Sequence, residues 1–148
     1  MREAKSSRFL YSFWQLRQSL LSRLEPALKA HHDLSLAELF LLHSLLSQDC
    51  NNPSELIERL GIPAHGISRK LEALERRGLI LRQLDKEDKR KRHISITAKG
   101  ETLLAESFHT LDSEVGDLLS VLNEQDLDMF LQLLDKLTSN SASSSSNV

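Results

Sequence analysis

One cysteine is all the thiol that this chain of 148 residues holds. Cys50 cannot close a disulfide within the chain, so a reducing cytoplasm is the expected setting. Asp49 is beside it and no cation is near it in sequence to lower a thiol pKa, so an inert side chain is expected rather than an oxidant sensor. No apolar run approaches the roughly 18 residues of a membrane-spanning helix. The opening Met1-Arg2-Glu3-Ala4-Lys5 leads into an amphipathic segment and not a signal peptide, so no membrane partner is expected. Enzyme signatures are missing too: there is no Gly-rich phosphate loop, no nucleophile elbow and no pair of carboxylates in a plausible cleft. The six histidines include no pair at i, i+3 or i, i+4, and the adjacent His31 and His32 leave a helix in different directions. No catalytic residue, metal site or cofactor is therefore expected; an assembly in space of His31 or His32 with His109 and an acid is the alternative.

What is present is ordinary in amount and uneven in placement. Hydrophobic residues make up 40% and charged residues 27%, as in a soluble globular domain. The formal charge of −2 conceals a split. Residues 53–100 hold 12 Lys/Arg against 7 Asp/Glu, a net of +5, and the remainder holds 7 against 14. Residues 101–138 carry Lys136 as their one base against nine acids. A basic middle between acidic flanks implies that one region meets a polyanion while the others are kept off it.

Apolar periodicity predicts a first helix over 8–30, with Pro26 expected to kink or interrupt it. Ser35 and Glu38 form a capping-box pattern before a leucine-rich helix expected to be largely buried, His43 included. Asn52 as cap and Pro53 at the first helical position start a short third helix that ends at Gly61. Ile67, Leu71 and Leu74 mark the inner face of a fourth, which stops at Gly78. Residues 79–84 and 93–96 are short extended runs around the charged stretch 85–92. Thr97 caps a long helix with a heptad-like seam from Leu104 to Leu122, and Asn123 caps a last one to about Leu137. The Ser- and Asn-rich stretch 139–148 is expected to be disordered.

Two helices joined by a tight Gly61-Ile62-Pro63 turn and followed by a hairpin make a winged helix-turn-helix, whose second helix fits a DNA major groove. The fold class expected is mainly α with a small β-hairpin wing. With Ile67, Leu71 and Leu74 inside, His65, Ser68, Arg69, Glu72 and Arg76 face outward. His65 and Ser68 can reach base edges, and Arg69 can pair bidentately with guanine. Lys70 and Arg76 complete the DNA-binding candidates on this helix. Gly66 is read as a point of close approach to DNA, or as fraying of the first turn. Lys89, Arg90, Lys91 and Arg92 are four consecutive cations at a narrow tip, suited to a minor groove and its phosphates. Of Asp85, Glu87 and Asp88, at least one is expected to brace the loop by pairing with an Arg, and His93 is placed in a strand near phosphate.

Three stretches of the chain resemble the MarR family of winged helix-turn-helix transcriptional regulators. They are Leu34-Ser35 with the helix after it; Ser68-Arg69, Leu71, Leu74, Glu75, Gly78-Leu79-Ile80 and Arg82; and Asp88-Lys89-Arg90 with Ile96-Thr97 and Gly100. The last follows the wing signature D-x-R…[L/I]-T-x-x-G. Pro63 departs from the pattern, standing where a Ser or Thr cap is common. The resemblance implies a homodimer on pseudo-palindromic double-stranded DNA, with Arg90 in the minor groove and Asp88 as its brace. It also implies a repressor or activator, here expected to be a repressor, modulated by a small phenolic or other anionic effector. Trp14, His31 and His32 are the candidate effector pocket, and Phe9, Tyr11 and Phe13 serve either that pocket or dimer packing.

The expected organisation is residues 1–33 as an N-terminal dimerisation helix, 34–97 as the DNA-binding lobe, 98–138 as C-terminal dimerisation helices and 139–148 as the tail. Exposed leucine faces on the terminal helices independently call for a partner copy. The rival from another class is a winged-helix adaptor whose basic hairpin meets an acidic protein.

Overall fold

The computed structural model describes residues 2–47 and 50–144, with side chains described over 4–47 and 50–139. The elements run α1 (Arg2–His32), α2 (Leu36–Leu46), α3 (Pro53–Leu60), α4 (Ala64–Arg76), β1 (Ile80–Leu84), β2 (Arg92–Ile96), α5 (Ala98–Leu119) and α6 (Glu124–Ser144). β1 and β2 pair antiparallel in a two-stranded sheet, from Ile80 opposite Ile96 to Leu84 opposite Arg92.

Local capping chemistry sets most boundaries. Ser35 accepts the Glu38 N–H while the Glu38 carboxylate takes the Ser35 N–H at 2.8 Å, a closed capping box. Asn52 caps α3 through the Glu55 N–H, with Pro53 in the first turn. Asn123 does the same for α6 through the Asp126 N–H. α4 is the exception, because Pro63 supplies no side-chain cap; its carbonyl accepts from Gly66 and Ile67. α4 gives way to β1 at Gly78, whose φ of +71° favours a residue without a Cβ.

Three expectations are corrected. Of the two effects expected of Pro26, the interruption does not occur, since α1 runs on through it. His43 is exposed, its ring edge-on to Phe108 at 5.6 Å, and not in the core. α6 continues to Ser144 through most of the stretch expected to be disordered, and residues 145–148 lie outside the described residues.

The chain forms two compact units, 1–112 and 113–148. The first holds a continuous apolar core: Leu24 and Leu28 of α1, Leu39, Leu41, Leu42 and Leu45 of α2, Leu56 of α3, Ile67, Leu71 and Leu74 of α4, Ile80 and Ile94 of the hairpin, and Leu104 and Leu111 of α5. The N-terminal half of α1 stands outside that core, with Phe9, Leu10, Tyr11, Phe13 and Trp14 exposed. In the second unit Val121, Met129, Leu131, Leu133 and Leu137 are exposed.

Candidate nucleic-acid interface

α4 buries one face and presents the other. At about 100° per residue, His65, Ser68, Arg69, Glu72 and Arg76 share an outward arc, and all five are exposed. Lys70 falls outside that arc. It is half-buried and lines a cleft with Glu25, Pro26, Lys29, Leu34, Ser35 and Glu38. A Cβ at Gly66 would stand 3.1 Å from the Ile62 side chain, a tight contact that a shift of a few tenths of an ångström in that side chain would relieve.

Three polar ties anchor α4. The Glu75 carboxylate takes both Nε and an Nη of Arg82, at 2.8 and 2.6 Å, binding the helix to β1. Arg77 donates to the carbonyls of Asp33 and His32 at the end of α1, at 2.7 and 2.9 Å. Lys99 of α5 donates to the Arg77 carbonyl at 2.8 Å.

The wing is built on a second set. The Thr97 hydroxyl donates to the Gly78 carbonyl at 2.7 Å and accepts the Gly100 N–H, closing the hairpin's base onto α5. At the tip, Asp85 and Asp88 work in series. The Asp85 N–H reaches the Lys91 carbonyl, and Asp85 Oδ1 accepts the N–H groups of Glu87 and Asp88 at 2.7 and 3.2 Å. Asp88 Oδ1 then accepts the Arg90 N–H at 3.0 Å, and its carbonyl accepts that of Lys91. These bonds hold the Asp85 carboxyl well below the usual range, at about 2: the Glu87 N–H has the largest effect, followed by His93 and the Asp88 N–H. Two acids thus spend their charge on the loop's own backbone, while Lys89, Arg90, Lys91 and Arg92 all remain exposed.

That arrangement corrects the expected brace. Among the described contacts the acids meet backbone N–H groups and His93, not an Arg side chain. His93 faces Asp85 at 2.7 Å instead of standing free for a phosphate. The candidate effector residues are not brought together within one chain. Trp14 lies 17 residues before His31 on one helix, roughly 25 Å at the rise of an α-helix. It carries Arg17 over its ring, while His32 meets the Thr110 hydroxyl at 2.7 Å. Sequence neighbours offered Cys50 no cation, yet the fold brings the Arg59 guanidinium to 3.7 Å from its buried Sγ.

A model of the MarR family matches residues 34–91, the span from the start of α2 through the wing tip. The transcriptional regulator HosA of Escherichia coli O127:H6 is 30% identical over 128 residues, covering 85% of this chain and 93% of that protein. The chain belongs to the MarR family. Solved structures agree on the fold. The transcriptional regulator BldR of Sulfolobus solfataricus superposes with a TM-score of 0.84 at 21% identity, over 95% of this chain and 99% of that one. The S. aureus MepR–DNA complex superposes at 0.74 and 24% identity, over 89% and 97%. Within this MarR-family chain the expected winged helix-turn-helix is therefore the fold observed.

Proposed function

We propose that this MarR-family transcriptional regulator binds double-stranded DNA as a homodimer, with α4 in the major groove and the wing tip in the minor groove. The observation that carries the reading is the tip itself: Asp85 and Asp88 accept the loop's own N–H groups, leaving four consecutive cations exposed on a braced projection. Such a projection suits the negative potential of a narrow groove. Arg69 and Arg76 on the exposed arc of α4 are the candidates for base and phosphate contact, with His65 and Ser68 nearest the helix start. Lys70, on the flank, is suited to a phosphate at most.

The exposed aromatic and leucine side chains of α1 and α6 support a two-fold dimer, since such faces are costly to leave in water. Two copies would set recognition helices about one helical turn, roughly 34 Å, apart on a pseudo-palindrome. Family membership supports action as a repressor in the cytoplasm, released by a small phenolic or anionic effector. Trp14, His31 and His32 could contribute to one effector site only from two copies or from separate places.

A gel shift against genomic fragments with competitor DNA tests the reading. Retention of a few fragments supports a sequence-specific regulator. Retention of all alike points to an architectural binder, and none at low salt to an adaptor for an acidic protein. Selection from randomised duplexes then tests Arg69: R69A should relax preference at one base position per half-site, and an unchanged motif would remove Arg69 from base readout.

A further inference from the structure

His93 is the second residue of β2, and its Nε2 lies 2.7 Å from Asp85 Oδ2 across the mouth of the wing. The pair is partly sheltered: the Asp85 side chain is 22% exposed and that of His93 is 50% exposed. The other oxygen of Asp85 organises the turn through Glu87 and Asp88, and Asp88 passes that order to the Arg90 N–H. The imidazole is thus the outer fastening of a chain of bonds that ends at the minor-groove candidate. Around it stand Asp85 in contact, Arg90, Lys91 and Arg92 on the wing side of the same cleft, and Glu55 on the α3 side. Gln83 is its neutral cross-strand neighbour.

A neutral imidazole offers the carboxylate one ordinary hydrogen bond, whereas an imidazolium makes a charge-assisted one about twice as strong. Imidazolium also adds a positive charge to a cleft already lined by three cations. Histidine is the side-chain class whose charge changes near neutrality. Asp85 is held at about 2 and stays ionised throughout that range.

We infer that His93 and Asp85 form a protonation-sensitive latch that positions the wing tip, so that the grip on duplex DNA tightens as the solution becomes mildly acidic. The inference rests on the DNA-binding reading above and deepens it. His93 acts here as a positioning residue for Arg90, and binding that favours its protonated form takes up a proton from solution.

Two measurements on the full chain test it. The first is fluorescence anisotropy with a duplex retained in the gel shift, at fixed ionic strength. The native chain should bind about three- to tenfold more tightly at pH 6 than at pH 8. H93Q should lose most of that difference, while H109Q, which removes an exposed histidine of α5 away from the proposed interface, should keep it. Equal pH dependence in the native chain and H93Q, or its disappearance in H109Q, overturns the inference. The second is amide protection at Glu87 and Asp88 in the DNA-free protein, which should rise between pH 8 and pH 6 in the native chain and not in H93Q. Unchanged protection overturns the latch even where DNA binds. Protection that responds while no duplex binds at either pH overturns the DNA reading and the coupling to it.

Discussion

Gly100, in the first turn of α5, lies against the Leu79 carbonyl, which itself accepts the Thr97 N–H at 3.0 Å. A Cβ at Gly100 would overlap that backbone oxygen and stand 2.7 Å from Ile96 Cγ1. The spacing Ile96-Thr97-x-x-Gly100 is therefore a packing statement: the wing's base and the start of α5 close on one another through a residue with no side chain. Because the obstruction is backbone, G100A should destabilise the chain by about 1–3 kcal/mol, as overpacking does. Urea unfolding would show it, and an unchanged midpoint would mean that α5 slides aside freely.

Arg77 joins the end of α4 to the end of α1 by two carbonyls. Hydrogen bonds from a charged donor contribute about 1.5–3 kcal/mol each, and less where water reaches them. R77A should lower stability by about 2 kcal/mol. R77K should recover only part, because an ammonium lacks the planar fork that serves two acceptors. Full recovery by lysine in thermal unfolding would reduce the tie to a single bond.

Removing the charge at Arg90 should leave folding intact and weaken duplex binding. The slope of log K against log salt should flatten by about one unit for each phosphate that the guanidinium neutralises. Affinity and slope both unchanged would take Arg90 out of the interface.

Asp88 holds the Arg90 N–H through a carboxylate oxygen. D88A should loosen the tip and weaken DNA binding, while D88N, which keeps an acceptor oxygen, should stay closer to native. If the two variants bind equally well, the side chain's role is charge and not the turn.

Asp85 sets an acid limit on the wing. Its folded-state pKa, about 2, lies below its ordinary 3.8. The part of that order that depends on its ionisation is present above pH 4 and is lost as the pH falls toward 2. Amide protection of Glu87 and Asp88 should fall in that window in the native chain, and D85N should lack the transition. A native tip that keeps its protection at pH 2 would show that the turn holds without the carboxylate.

Features that depend on residues three or four apart were legible in the chain. The caps at Ser35, Asn52, Thr97 and Asn123 are local chemistry, written within one turn of helix. The inward row of α4 is also local, and it places His65, Ser68, Arg69 and Arg76 on the exposed arc without reference to the rest of the fold. Even the overrun of α6 has a local reason: residues 139–144 contain no Gly or Pro, and Ser and Asn are only middling helix formers.

Other features required distant segments to meet. Arg77 finds its acceptors 44 and 45 residues away. Cys50 gains the Arg59 guanidinium only once α3 has folded back beside it. Lys70 belongs to a cleft with α1 and α2, and His43 to the surface against Phe108. By itself the sequence determined that there would be a winged helix-turn-helix with a basic tip, because periodicity, caps and charge order are carried along the chain. Tertiary structure alone decided how that tip is held and why Gly100 stands where it does. A carboxylate's partner is chosen by whatever N–H or imidazole the folded backbone brings within reach, and a missing Cβ matters only when another strand arrives to fill its place.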